Sequence, residues 1–153
     1  SFDDYKPFFL KALSHLREID WFPIPNPAKR PTHIYTDATT TQLGIVFPTF
    51  TAAKRTTRKN VYETEAEAVA WALEQQELPN STVLRIDNMA LVYAIKKGRS
   101  NTTEANNVCR KIFNLQRQGK FIAAKWISTT QNPADVPSRR HLSSPLFVSP
   151  RLA

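Results

Sequence analysis

Two short β-prone runs in this chain each end on an aspartate, and a helical segment lies between them. The runs are HIYTD, which ends at Asp37, and VLRID, which ends at Asp87. The segment between them, YETEAEAVAWALEQQEL, has apolar residues at the i, i+3, i+4 and i+7 positions of a helix. Ligands bind open α/β sheets at the carboxyl ends of the strands. This alternation therefore predicts an α/β fold with acids gathered at one sheet edge.

The remaining patterns extend this prediction to a mixed central sheet flanked by helices, in the order β-β-(β)-α-β-α-α-β-α. The other predicted strands are LGIVFPTF and FIAAKWIS, and the other helices are NMALVYAIKKG and TTEANNVCRKIFNLQRQG. The basic stretch TAAKRTTRKN reads equally as a third strand or as a loop. The stretch NPADVPSRR reads as a turn that leads into a short helix or an irregular tail.

The organisation along the chain suggests three parts. Residues 1–31 form a lead-in, with a helix at 4–20 that is followed by a Pro-rich connector which cannot be helical. Residues 32–142 form one α/β domain, and residues 143–153 form a C-terminal tail. The chain begins SFDDY, without Met, so a longer parent protein remains open.

Composition narrows the class of partner. The 153 residues carry a formal net charge of +8, which suits a polyanion such as nucleic acid, although a merely basic surface explains the charge as well. No apolar run approaches the roughly 18 residues that span a bilayer, so no membrane partner is expected.

The single cysteine, Cys109, excludes an intrachain disulfide, and it is expected in the core together with Trp71 and Trp126.

A third aspartate, Asp135, follows the strand AAKWIS by a short loop, and the first helix offers Glu63, Glu65 and Glu67. Carboxylates gathered at strand ends suit Mg²⁺ or Mn²⁺, which prefer oxygen ligands. Each acid taken singly fits a turn or a helix cap as well. Helical periodicity does not choose among the three glutamates, so that choice stays open at this point.

Three stretches resemble the ribonuclease H (RNase H) domain of reverse transcriptases. DATTTQLGIV resembles the D-A-T-x-T-x-x-G-[LI]-V stretch of hepadnaviral polymerases, NPADVPSRR resembles their N-P-A-D-x-P-S-R ending, and RIDN resembles their T-D-N. DIRS-type and gypsy-type retroelements share looser forms of these motifs. The resemblance covers about residues 33–141, and its most specific element is NPADVPSR.

The resemblance implies an RNase H-like fold for residues 32–142 and hydrolysis of the RNA strand in RNA–DNA hybrids, beside a polymerase domain of the same polyprotein. In the family, the glutamate is followed by Ala at +3 and +7 and by Leu at +8. The resemblance therefore also selects Glu65, which is followed by Ala68, Ala72 and Leu73 at these positions. The implied catalytic and metal-binding residues are Asp37, Glu65, Asp87 and Asp135.

Roles for these four residues come with the resemblance. Asp37 would bridge two Mg²⁺ or Mn²⁺ ions. Glu65 and Asp87 would hold the ion near the leaving 3′ oxygen, and Asp135 the ion that positions the attacking water. The expected substrate contacts are Thr39, Thr41, Asn88, Lys96, Lys97, Arg99 and Arg139. For the basic residues among them, a solvated surface is the plain alternative.

The sequence departs from many family members and leaves three rival readings. It lacks the family's T-N-x-x-x-E before the helix, and Thr130 stands where a loop histidine is common; His141 is a weak substitute. A catalytically silent connection or tether domain would have lost the acids. An integrase or transposase core would place its glutamate on a late helix, and a plain binding module would not need the acids. The cellular location stays open among cytoplasm, nucleus and virus-like particle.

Overall fold

The computed structural model describes residues 30–140 and the backbone of Leu146–Pro150. The chain divides into two compact units, residues 1–30 and 31–153, and all the helices and strands given below belong to the second. The helix expected at 4–20 and almost all of the Pro-rich connector lie outside the described residues. The division into residues 1–31, 32–142 and 143–153 stays a prediction.

The described strands form one six-stranded mixed sheet, which confirms the predicted fold class. They are β1 (Thr32–Ala38), β2 (Gln42–Val46), β3 (Phe50–Arg55), β4 (Ser81–Ile86), β5 (Phe121–Trp126) and β6 (Leu146–Pro150). Their order across the sheet is β5-β4-β1-β2-β3-β6. The three strands β1, β4 and β5 run parallel, whereas β2, β3 and β6 pair antiparallel with their neighbours.

Four α-helices complete the described fold: α1 (Val61–Leu73), α2 (Met89–Lys97), α3 (Thr103–Arg117) and α4 (Asp135–Arg139). Side-chain oxygens of Asn60, Asn88 and Thr102 accept backbone N–H groups at the starts of the first three, which satisfies donors that a helix leaves free. Gly98 ends α2 in the left-handed region, with φ of 87°. None of the described helices has the length and apolar character that crossing a membrane requires.

The main core lies between one sheet face and the helices α1, α2 and α3. Strand residues Ile34, Leu84 and Ile122 point into it. Because side chains alternate along a strand, Asp37 points to the opposite face from its neighbour Thr36. On that opposite face α4 packs over β2, and the Gln42 side chain donates to the carbonyls of Pro137 and of Arg140 at 2.8 and 2.6 Å.

Several element boundaries differ from expectation. The predicted strand LGIVFPTF ends at Val46, and a bend that contains Pro48 leads from it into β3. The basic stretch TAAKRTTRKN, for which a strand and a loop were both open, contributes its first five residues to β3, and the rest lies outside the strand. Helix α1 ends at Leu73, several residues before Pro79, and β6 lies in the stretch expected as a tail. The prediction of a core position is confirmed for Cys109 but wrong for Trp126, which is 47% exposed.

Gly44 lies where α4 approaches β2 most closely. A Cβ atom on this residue would lie 2.7 Å from the Ser138 backbone nitrogen and 2.9 Å from the Ala134 carbonyl oxygen. Both obstacles are backbone, so the strand and α4 would have to separate. The glycine therefore sets how closely the NPADVPSR segment packs on the sheet.

We expect Gly44→Ala to lower the free energy of unfolding by about 1–3 kcal/mol, since overpacking a close contact costs that much. Amide hydrogen exchange should accelerate in residues 134–140 and stay slow in α1. Gly98→Ala is the control, because it meets open space and costs only backbone strain. Equal exchange in residues 134–140 of both variants would contradict the role given to Gly44.

Candidate active site

Three carboxylates converge at the carboxyl edge of the sheet. Asp37 lies near the end of β1, Asp87 directly follows β4, and Glu65 projects from the first turns of α1. One carboxylate oxygen from each lies within 4.8 Å of the other two. Since β1 and β4 are adjacent and parallel, their carboxyl ends bring the two aspartates together. Asp37 and Glu65 are only 4% and 3% exposed.

Burial, together with this proximity, shifts the pKa values of two of the groups. Burial, followed by the charges of Asp87 and Asp37, raises the pKa of Glu65 to about 10. Burial, followed by the charge of Asp87, raises the pKa of Asp37 to about 6, although hydrogen bonds from the Ala38 N–H and the Ser138 hydroxyl oppose the rise. The protein therefore holds these acids together at an electrostatic cost.

The group is suited to a divalent cation. The Glu65 Oε2 atom is buried and has no hydrogen-bond partner, and a buried polar oxygen without a partner is costly. Carboxylate oxygens are the ligands that Mg²⁺ and Mn²⁺ prefer. A cation bound by Asp37, Glu65 and Asp87 would satisfy this oxygen and remove the mutual repulsion. Among the described residues, these three form the one such group of potential metal ligands.

The fourth predicted acid, Asp135, lies outside this group. It begins α4, and its Oδ1 accepts a hydrogen bond of 2.9 Å from the Arg139 Nε in an ion pair. This hydrogen bond is the main reason that the pKa of Asp135 is lowered, and Asp37 contributes as a further hydrogen-bonding neighbour. The side chain of Asp135 is partly exposed, so it stands at the rim beside Asp37.

Two buried residues that the sequence did not single out hold this rim in place. The Ser138 hydroxyl lies 3.1 Å from the Asp37 Oδ2 and 2.8 Å from the Asp135 carbonyl oxygen, and these two acceptors share its single proton. The Asn132 side chain donates to the Thr36 carbonyl at 2.9 Å and accepts the Ala134 N–H at 3.0 Å. Both belong to the NPADVPSR stretch, so the motif itself was the available signal. Its polar residues join the β5–α4 connection to β1.

An open cleft surrounds the three carboxylates. Among the predicted substrate contacts, it is lined by Thr39, Asn88 and Arg139. The Thr39 hydroxyl accepts the Gln42 N–H at 3.1 Å, and the Asn88 side chain accepts the Leu91 N–H at 3.0 Å, so both side chains also shape the backbone. The remaining predicted contacts, Thr41, Lys96, Lys97 and Arg99, are not among the lining residues.

The cleft also contains residues that sequence reasoning missed. They are Ala38, Thr40, Val61, Met89 and Thr129. The Thr129 hydroxyl donates to the Asp87 Oδ2 at 3.2 Å, which orients this carboxylate. Thr129 directly precedes Thr130, the position that the family resemblance aligns with a loop histidine, so a signal was present but pointed one residue further on.

The two neighbouring glutamates of α1 are engaged elsewhere. Glu63 accepts a short hydrogen bond from the Asn60 side chain at the helix start. Glu67 accepts a hydrogen bond of 2.8 Å from the Lys59 ammonium. The structure therefore brings only Glu65 of the three glutamates to the aspartates.

Comparisons with known proteins agree on the fold. No protein-family model matches the sequence, and no curated protein matches it significantly. RNase H1 from the halophilic archaeon Halobacterium salinarum NRC-1 superposes with a TM-score of 0.56 at 13% identity, covering 69% of this chain and 91% of that one. LC11-RNase H1 in complex with an RNA/DNA hybrid gives a TM-score of 0.53 at 17% identity, covering 67% and 90%. The described domain therefore has the RNase H fold.

In EDTA, we expect the free energy of unfolding to fall as the pH rises from 5 to 8. The unfolded chain releases the Glu65 proton near 4.5 and the folded chain only near 10, so ionisation favours unfolding between these values. Glu65→Gln should remove most of this dependence, leaving the part that Asp37 adds below about pH 6, and should stabilise the metal-free protein by about 1–3 kcal/mol at pH 8. Chemical denaturation at several pH values measures this. Glu77→Gln, at an exposed position, is the control and should behave like the unmodified chain.

Millimolar Mg²⁺ or Mn²⁺ should raise the melting temperature, because a cation that binds only the folded state stabilises it by mass action. Asp37→Asn should abolish most of this increase, since it removes one of the three carboxylates that would hold the cation. Thermal scans with and without EDTA test the expectation. A melting temperature that does not respond to either cation would contradict a metal site here.

Proposed function

We propose that this chain is a ribonuclease H that cleaves the RNA strand of RNA–DNA hybrids by metal-dependent endonucleolytic hydrolysis. The observation that supports this most is the convergence of Asp37, Glu65 and Asp87 on an RNase H fold. The fold alone does not give an activity, whereas three clustered acids, one of which has a buried oxygen without a hydrogen-bond partner, are suited to a metal site. LC11-RNase H1, a structural neighbour, is itself bound to an RNA/DNA hybrid.

The proposed cofactors are Mg²⁺ or Mn²⁺, two ions per site, held by Asp37, Glu65, Asp87 and Asp135. When bound, such ions lower the pKa of an attacking water and stabilise the charge on the leaving oxygen. The chain's own residues provide the positioning. Asp37 is fixed by the Ala38 N–H at 2.9 Å and by the Ser138 hydroxyl. This fixed carboxylate is the one suited to lie between both ions.

The rim of the cleft would serve the substrate. Arg139 lines the cleft and carries a guanidinium that attracts the phosphate backbone. Its ion pair with Asp135 holds the guanidinium at the rim of the cleft, beside the position that we propose for the substrate phosphates. Thr39 and Asn88 lie near enough to the acids to contact sugars, and the 2′-hydroxyl groups of RNA are what distinguish it from DNA.

The reverse transcriptase context belongs to the proposal as well. It rests on the stretches DATTTQLGIV and NPADVPSRR, which resemble the hepadnaviral and retroelement forms. An upstream polymerase domain of the same polyprotein would then be the protein partner. A silent tether domain is the alternative function, and the retention of all the acids, with Glu65 buried among them, argues against it. The position of the glutamate on α1 disfavours an integrase.

The decisive experiment is cleavage of an end-labelled RNA–DNA hybrid in Mg²⁺ or Mn²⁺. We expect the RNA strand to be cut within the hybrid, while the same RNA alone and a DNA duplex remain intact. Asp37→Asn and Glu65→Gln should each reduce the rate by a factor on the order of 100 or more, since even indirect metal contacts contribute 10–100-fold.

Matched controls lie on the same helix. Glu63→Gln and Glu67→Gln should retain cleavage, since these side chains contact Asn60 and Lys59 instead of the acids. Loss of activity in all three glutamate variants would indicate damage to α1 and contradict the assignment of Glu65. As a further experiment, the unmodified chain is fused to an upstream polymerase domain. If this fusion binds the hybrid in a salt-dependent way but does not cleave it, the result supports the silent tether domain.

A further inference from the structure

Two aromatic rings stand exposed on the neighbouring helices α2 and α3, and each has a cation one helical turn further along. Tyr93 on α2 is 65% exposed, and the Lys97 Nζ lies 5.2 Å from its ring centre. Phe113 on α3 is 60% exposed, and the Arg117 Cζ lies 5.9 Å from its ring centre. Single exposed apolar side chains are ordinary on a protein surface, and what distinguishes these two rings is the cation that each has at the i+4 position.

Further exposed cations surround these rings. Together with Lys96, Arg99 and Arg110, the two pairs define what we call the aromatic–basic surface: Tyr93, Lys96, Lys97, Arg99, Arg110, Phe113 and Arg117. Helix α2 has no acid, and the one acid of α3, Glu104, lies in its first turn. Within the part of the chain that the structure describes, no ion pair involves the five cations of this surface. Their charge is therefore available to a polyanion.

This surface begins at the cleft. Met89 lines the cleft and is 64% exposed, and Met89, Tyr93 and Lys97 follow one another at i, i+4 and i+8 on α2. They form one ridge that leads away from the carboxylates. The two helices are in contact, since the Cys109 thiol donates to the Ala94 carbonyl at 3.7 Å. Phe113 lies one turn beyond Cys109 on α3, and Tyr93 lies one turn before Lys97 on α2.

We propose that the aromatic–basic surface binds single-stranded nucleic acid, the unpaired strand that continues from a duplex in the cleft. Exposed rings stack on unpaired bases, which a duplex buries between its base pairs, and the cations between them neutralise phosphates. A surface for duplex alone would need the cations but not the rings. This binding goes beyond the proposed cleavage reaction and does not depend on it.

The test is fluorescence anisotropy with the full chain in EDTA and a labelled oligo-dT of roughly 12–16 nucleotides. We expect Tyr93→Ala combined with Phe113→Ala to weaken binding at least about 10-fold, with the salt dependence unchanged, because stacking carries no charge. Lys97→Gln combined with Arg117→Gln should instead reduce the slope of log K against log salt by about 1.4.

The matched controls remove a ring or two cations at positions outside the aromatic–basic surface. Phe121→Ala removes a partly exposed ring from β5, and Arg58→Gln combined with Lys125→Gln removes two exposed cations. Both controls should bind oligo-dT nearly as the unmodified chain does. The proposal is overturned if the double aromatic variant binds normally, or if it loses affinity for a DNA duplex as much as for oligo-dT. If the chain cuts no hybrid, even when fused to a polymerase domain, yet shows the aromatic dependence, the nuclease proposal fails and this proposal stands.

Discussion

The crowding of three carboxylates at the end of β1 and β4 is the constraint on which the rest of the structure depends. Bringing Asp37, Glu65 and Asp87 within 4.8 Å of one another is unfavourable in the absence of cations, as the raised pKa values of two of them show. The fold offsets this cost through the core beneath the site and through specific hydrogen bonds to Asp37. The site is therefore held in position by the fold before any ligand binds, as a preorganised catalytic centre requires.

The sheet face opposite α1, α2 and α3 also holds the acids in place. Gly44 gives α4 room to approach β2, Gln42 holds the α4 backbone, and Asn132 holds the loop before it. Through these contacts Ser138 reaches Asp37, and Asp135 stands beside it at the rim. A five-residue helix has little stability of its own, so its position is set by these contacts and not by its helical propensity.

Much of this could be predicted from sequence, because strand ends and helix starts are local features. The two aspartates at strand ends, the caps of α2 and α3 and the mixed sheet all follow from short patterns. The choice of Glu65 did not, since Glu63 and Glu67 fit the helix equally and only a family register or the packed fold separates them. The ion pair of Asp135 with Arg139 and the strand β6 depend on tertiary contacts, which no local pattern encodes. Trp126 was misplaced because its indole N–H donates to the Asp87 carbonyl at an edge strand, where half of the ring stays exposed.

The predicted substrate contacts that carry a positive charge fall into two groups. Arg139 lines the cleft, whereas Lys96, Lys97 and Arg99 lie at or just after the far end of α2, whose first residue, Met89, lines the cleft. At about 1.5 Å per residue, the nine residues of α2 place this basic end roughly 13 Å along the helix from the cleft. Under the proposed function, cations at that distance would attract the continuing phosphate backbone of a long polyanion, and Arg139 would attract the phosphates within the cleft. The two groups lie on different elements of the fold, so variants in one group should leave the other in place.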